Sequence, residues 1–189
     1  KRLGKLMWLR MTRQTAPPTW GWKNWFADHE LSGGGLLDLH VHDADFVVYA
    51  LGKPESVMSQ GVVGFSKGVD SVTTLYDFAD GTIVSASGDM TLPEGAPFKM
   101  AYQAVFKKGM LDYDSGRDAA LLEYVPGEEG VSPQVAAGDG YLHEIQYFVD
   151  CIEKRRKVKV CPPESSALSI KVAEAERKSC QNGKPVKIS

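Results

Sequence analysis

Apolar and polar residues alternate along this chain with two different periods. From residue 56 to residue 124 the period is two. Val72, Thr74, Tyr76 and Phe78 alternate with Thr73, Leu75 and Asp77; Ala79-Asp80-Gly81 offers a tight turn, and Thr82 to Ser87 returns. Ser56 to Phe65 reads as a strand interrupted by Gly61 and Gly64. Phe98, Met100, Tyr102, Ala104 and Phe106 alternate with Lys99, Gln103 and Lys107 over a long strand, followed by a turn at Lys108-Gly109 and short strands at 110–113 and 119–124. Near the start, Lys5 to Thr12 puts Leu6, Trp8 and Arg10 on one face and Met7, Leu9 and Met11 on the other. Strands joined in sequence by short turns make a mostly antiparallel sheet. Helical spacing appears later: Tyr141, Ile145, Phe148 and Ile152 mark an amphipathic helix. Pro162-Pro163-Glu164-Ser165 opens a final helix with Leu168, Val172 and Ala175 inward and Asn182-Gly183 as its stop. The pattern predicts an α+β fold, a large mostly antiparallel open sheet with helices packed on one face.

The run from Ser32 to Leu51 holds the chemistry, and it can be read in two ways. As a strand, Asp38-Leu39-His40-Val41-His42 resembles the His-x-His metal motif of the amidohydrolases, because residues two apart share a face. As a helix, Asp38 and His42 share a face, with Asp45 and Tyr49 on the same stripe, about 60° wide at ~100° per residue. His40 and His42 then point apart. Leu36, Leu37, Leu39, Val41, Ala44, Phe46, Val47 and Val48 cover most of the remaining circumference, so the helix is a buried one with a narrow polar stripe. His40 and Asp43 are exceptions that need partners elsewhere. Gly52-Lys53-Pro54 stops the helix, and Gly33-Gly34-Gly35 permits close backbone approach before it. The amidohydrolase reading also needs a barrel of about 250 residues and further metal ligands. With 189 residues and only His29 and His143 remaining, a metal-dependent amidohydrolase piece is the remote alternative, and no metal site is expected.

Length and composition narrow the classes further. The 189 residues suit one domain with a real core, and 43% hydrophobic with 24% charged residues is ordinary for a globular protein. A net charge of −2 gives no reason to expect nucleic acid or an anionic membrane as partner. No apolar run approaches the ~20 residues of a membrane span. Cys151, Cys161 and Cys180 show no paired spacing, which suits a reducing compartment, the cytoplasm. Lys154-Arg155-Arg156-Lys157 reads as a solvated helix end. The chain opens at Lys1 without a Met and is expected to be a piece of a longer protein.

Gly33-Gly34-Gly35, Asp38, His42 and Asp45, spaced here as G-G-G-x-x-D-x-x-x-H-x-x-D, resemble the glycine-run, Asp, His, Asp signature of the Gfo/Idh/MocA oxidoreductases. The signature opens the C-terminal domain of that family, and the resemblance runs from there to the end of the chain. One departure is His40, where the family often has Gly. The resemblance implies that residues 1–189 are the C-terminal domain of a two-domain, NAD- or NADP-dependent dehydrogenase of sugars, inositol or related polyols. The N-terminal Rossmann domain, with its Gly-rich phosphate turn and a Glu-Lys-Pro motif, has no counterpart in this sequence, so the chain alone is expected to be inactive. By the same resemblance His42 is the candidate acid/base and Asp38 binds a substrate hydroxyl or orients the imidazole, while Asp45 braces the helix. Histidine suits that proton transfer because its pKa lies near neutrality.

Other readings stay open at this point. Asp38 and His42 can be an ordinary surface ion pair. Trp20, Trp22 and Trp25 can be a loop packed on the domain or at an interface, or a wall of a sugar pocket, together with Tyr141. The domain as a whole can be a non-catalytic binding or assembly module. The family also implies a homo-oligomer formed through the sheet: if the Phe98 to Phe106 set faces the helices, the partner face is the mixed polar one and the interface is wet.

Overall fold

In this computed structural model, which describes residues 2–189, one strand from the beginning of the chain runs through the middle of the sheet. It is β1 (Leu6–Gln14). The others are β2 (Ser56–Val63), β3 (Val69–Asp77), β4 (Ile83–Asp89), β5 (Lys99–Phe106), β6 (Gly109–Asp114), β7 (Leu121–Tyr124) and β8 (Val186–Lys187). Their spatial order is β7-β6-β5-β1-β4-β3-β2-β8. Only the β1–β4 pairing is parallel; the rest are antiparallel. The expected α+β architecture with a mostly antiparallel open sheet is the one observed.

The alternation of side chains divides the sheet cleanly. Leu9 and Met11 of β1, Val57 of β2, Val72 and Tyr76 of β3, Val84 and Ala86 of β4 and Ala104 of β5 are buried under helices. Two helices cover this face: α2 (Val41–Leu51) and α4 (Pro163–Asn182). Val47 and Val172 are fully buried between helix and sheet, each worth about 1.5–3 kcal/mol against exposure. Tyr102 and Phe106 of β5 pack on the same core, so the aromatic set of that strand faces the helices. The opposite face is open and mixed, with Arg10, Gln103 and Asp112 beside the exposed Leu75 and Ile83.

α2 does not start as an α-helix. Leu36–His40 forms a π-helical turn that runs straight into it, so the helix expected within the run from Ser32 to Leu51 is continuous but wider at its beginning. The loop expected between residues 15 and 30 contains a kinked turn segment at Trp22–Ala27 and a short helix, α1 (His29–Ser32). α3 (Gly140–Glu153) is capped by Asp139, whose side chain accepts from the Leu142 amide at 2.8 Å. α3 does not bury its apolar stripe: Tyr141, Ile145, Phe148 and Ile152 are all exposed. Among the described residues no helix is long and apolar enough to cross a membrane.

Candidate functional site

The glycine run fixes where α2 begins. Gly33 and Gly34 have φ of 78° and 69°, left-handed values that other residues adopt only with strain. Gly35 lies against the backbone of β3, where a Cβ would come within 2.6 Å of the Asp70 carbonyl oxygen. The buried Asp70 carboxylate gathers this region. It accepts from the Gly35 amide at 2.9 Å, the Ser66 amide at 2.8 Å and the Ser66 hydroxyl at 2.6 Å. The Gly35 N–H is therefore committed to a carboxylate and is not free for a phosphate.

The polar residues of the helix then divide into two groups. His40 is fully buried against Gly88 of β4, with Nε2 3.3 Å from the Tyr76 hydroxyl and 3.4 Å from the Glu176 carboxylate of α4. Burial, then the Glu176 charge, pushes the Tyr76 hydroxyl well up, so it stays a donor. Asp43 is buried in an ion pair with Arg13, whose Nη2 donates at 3.0 Å. Asp45 accepts from the Ser169 hydroxyl of α4 at 2.6 Å, the brace expected of it. These three contacts tie the helix to the sheet and to α4.

Asp38 and His42 form the second group. They have no hydrogen-bond or ion-pair partner among the described residues. Both line a cleft of about 610 Å³ whose other walls include Pro17, Pro18, Trp20, Trp25, Phe26, Met90 and Phe98. Burial raises the Asp38 carboxyl above its ordinary value, while the neighbouring His42 pulls it back down. His42 is exposed and also borders a second cleft, of about 570 Å³, with Arg13, Asp43, Phe46, Tyr102, Tyr113, Tyr141 and Glu144. Phe46, Tyr102 and Tyr113 stack along that second wall, with ring centroids 6.2 and 5.3 Å apart.

The sequence expectations map onto this geometry unevenly. His42, Asp38, Trp20 and Trp25 come together around one cleft. Tyr141 sits across the second cleft and meets only His42. Trp22 lines neither cleft; it is 76% exposed, with the Lys23 ammonium 4.6 Å above its ring. The strand reading of Asp38 to His42 fails, since the segment is helical and His40 and His42 face core and cleft respectively. The Arg13–Asp43 pair and the His40–Tyr76–Glu176 cluster were not anticipated. A signal for the first existed: Arg13 continues the core-facing parity of Leu9 and Met11, so it needed a buried anion.

An open, mostly antiparallel sheet roofed by helices, with an Asp/His-bearing helix turned toward an aromatic-walled cleft, defines a two-layer α+β domain. Residues 1–112 match the family model of the GFO/IDH/MocA C-terminal domain, and the chain belongs to that family. No curated protein sequence matches it. Among solved structures it is similar to levoglucosan dehydrogenase in complex with NADH, at 17% identity and a TM-score of 0.82, covering 99% of this chain and 59% of that one. It is also similar to UDP-N-acetylglucosamine 3-dehydrogenase from Acidithiobacillus ferrooxidans, at 19% identity and a TM-score of 0.73, covering 94% of this chain and 54% of that one. An oxidoreductase from Agrobacterium radiobacter in complex with NAD+, L-tartaric acid and magnesium gives 18% identity and a TM-score of 0.74, covering 98% of this chain and 58% of that one. The chain thus spans little more than half the length of each of these proteins.

Proposed function

We propose that this chain is the substrate-binding and oligomerisation domain of an NAD- or NADP-dependent oxidoreductase that acts on a secondary hydroxyl of a sugar or polyol. The observation that carries the reading is the cleft with Asp38 and His42 on one wall and Trp20 and Trp25 on another. Aromatic faces suit the apolar faces of a sugar ring, and an imidazole with no partner among the described residues is free to take the proton of a substrate hydroxyl. Asp38 accepts a neighbouring substrate hydroxyl or orients the His42 imidazole. A volume of about 610 Å³ is ample for a monosaccharide.

The glycine-rich turn before α2 offers a dinucleotide no phosphate site. The glycine-rich turn points its Gly35 amide at Asp70, and a carboxylate there repels a pyrophosphate. In this reading the nicotinamide, the hydride acceptor, is carried by a separate N-terminal Rossmann domain of the same polypeptide. Residues 1–189 alone then bind NAD(P) weakly and turn over nothing. The open sheet face serves subunit pairing, and the sparse unpaired cysteines suit a cytoplasmic protein.

The test is nicotinamide reduction by the full-length polypeptide against a panel of sugars and polyols. The expected result is turnover of at least one of them, lowered by about 100-fold or more in His42→Asn, in the range typical of a lost acid/base. Full-length protein that reduces neither NAD nor NADP with any of the panel would favour the non-catalytic module.

A further inference from the structure

The two clefts that meet at His42 lie end to end along the same pair of strands. The first is lined by Thr15 and Phe98, just beyond the paired ends of β1 and β5. The second runs over Thr12 and Arg13 of β1 and over Met100 and Tyr102 of β5. Only the Gln14–Lys99 pair of the ladder separates them. Thr12 and Thr15 are three residues apart, about 10 Å at the rise of a strand, which is the length of two linked pyranose rings rather than of one. With volumes of about 610 and 570 Å³, each cleft has room for a ring of its own.

The second cleft suits a ring and not an anion. Phe46, Tyr102 and Tyr113 form one aromatic wall. The Tyr102 and Tyr113 hydroxyls and the Glu144 carboxylate, which also line it, have no hydrogen-bond or ion-pair partner among the described residues. The charged lining of the two clefts is four carboxylates, Asp38, Asp43, Asp139 and Glu144, against the guanidinium of Arg13. That guanidinium is already neutralised by Asp43 at 3.0 Å. Clefts lined by one sign of charge repel that sign, so a phosphate or carboxylate on the substrate is opposed from both sides of His42.

We propose that the substrate is an uncharged glycoside of two rings, the oxidised ring in the first cleft beside Asp38 and His42 and the ring linked to it against Tyr102 and Tyr113 in the second. The inference rests on the sugar-dehydrogenase reading above and adds the size and charge of the sugar. The second ring makes and breaks no covalent bond. Its apolar face lies on the tyrosines, and its hydroxyls donate to Glu144 and exchange hydrogen bonds with the tyrosine hydroxyls.

The experiment is nicotinamide reduction by the full-length polypeptide with maltose, cellobiose, lactose and trehalose, against glucose, galactose and their methyl glycosides. Glucose 6-phosphate and glucuronate are the anionic probes. At least one disaccharide is expected to exceed its component monosaccharides in kcat/KM by about ten-fold, the worth of one good aromatic face against a ring, and the anionic probes to fall below both. Tyr113→Ala should bring the disaccharide-to-monosaccharide ratio toward one. Glu144→Ala, on the exposed surface of α3, should move it the same way in a variant whose fold is not at risk, whereas Trp25→Ala should lower both substrates alike. Monosaccharides used as well as every disaccharide, a preferred anionic probe, or a ratio that neither variant moves would each overturn the inference and leave the dehydrogenase reading standing. If the full-length protein reduces no nicotinamide, saturation-transfer NMR of the same disaccharides decides. Signal in both rings, lost from one of them in Tyr113→Ala, sustains the two-ring site without the dehydrogenase reading; signal in one ring or in neither overturns it.

Discussion

Replacing Gly35 with alanine separates a packing role for the glycine run from a merely flexible one. Intrinsic propensity favours the change: Gly35 sits at φ −58° and ψ −23°, and alanine in place of glycine gains up to about 1 kcal/mol in a helix. Space opposes it. The new Cβ would lie 2.6 Å from the Asp70 carbonyl oxygen, 3.0 Å from its Cα and 3.1 Å from its carbonyl carbon. These are backbone atoms of a strand paired on both sides, between β2 and β4, so the helix start has to move. Forcing a methyl into such a site costs about 1–3 kcal/mol. The movement also stretches the 2.9 Å bond from the Gly35 amide to Asp70, and a buried amide without its acceptor costs about 1–3 kcal/mol more. The steric and hydrogen-bond losses outweigh the propensity gain, leaving a net loss of about 3 kcal/mol. Urea denaturation followed by tryptophan fluorescence should show the midpoint falling by roughly 1 M or more, at an m-value near 2–3 kcal/mol/M. Gly52→Ala is the comparison: a Cβ there meets nothing within 4 Å, but φ 83° with ψ −163° is a backbone conformation left essentially to glycine, so a strain of about 1–3 kcal/mol with no clash applies. An unchanged or raised midpoint for Gly35→Ala would refute the argument.

Asp38→Asn should stabilise the protein at neutral pH while lowering activity. The Asp38 carboxyl is raised by burial, so the folded state holds its proton more tightly than the unfolded chain does. Its contribution is therefore most favourable below the ordinary carboxylate range and is lost as pH rises through the raised value. Denaturation midpoints of wild type and variant should converge near pH 3 and separate toward pH 7; parallel curves would contradict this. Asp80 gives the opposite slope, since hydrogen bonds from Thr82 and Lys5 hold it at about 2, and its contribution is lost as pH falls from about 4 to 2. Glu176→Ala should destabilise by about 1–3 kcal/mol, because it takes a hydrogen-bond partner from the fully buried His40 Nε2; differential scanning calorimetry with an unshifted melting temperature would show that the cluster contributes nothing. At micromolar concentration the full-length protein should sediment as a dimer or larger, with Ile83→Lys on the open face shifting it toward monomer; a clean wild-type monomer ends the proposal of assembly through the sheet.

Local pattern carried much of this fold. The stripe at 38, 42 and 45 identified a helix because four-residue spacing is a property of the segment alone. The period-two run at 98–106 identified a strand, and Tyr102 and Phe106 lie on the core as one of its two faces had to. The placement of β1 was not legible. Its partners β4 and β5 are some 75 to 100 residues away, and nothing in Leu6 to Gln14 states which strands it separates. The partners of His40 and Asp43 were hidden for the same reason, although their presence on an otherwise apolar helix announced that partners existed. The stripe of α3 was legible as a stripe, but not its direction: amphipathicity says that a face is covered, not by what. Trp22 looked equivalent to Trp20 and Trp25, yet left-handed backbone at Lys23 and Asn24 turns the chain just after it, and it lines neither cleft.

The division of polar groups on the helix explains how residues far from the cleft bear on chemistry within it. His40, Asp43 and Asp45 are satisfied by Tyr76 and Glu176, by Arg13 and by Ser169. Asp38 and His42 have no partner among the described residues; the half-buried Asp38 carboxylate carries a desolvation cost, while the exposed His42 imidazole meets solvent. Side-chain ends lie about 5–6 Å from a helix axis. A rotation of about 20° therefore carries the His42 imidazole through roughly 2 Å, and holding it within about 0.5 Å of a productive position allows only about 5°. The π-helical turn at Leu36–His40 makes the helix start the place where such a rotation would begin. Three anchors around the axis oppose it: His40 to β3 through Tyr76 and to α4 through Glu176, Asp43 to β1 through Arg13, and Asp45 to α4 through Ser169. No single contact fixes both rotation and translation, since one hydrogen bond leaves the helix free to pivot about it. In the proposed reading the buried polar cluster positions Asp38 and His42, its desolvation cost borne by the core, while those two residues are left open to the cleft.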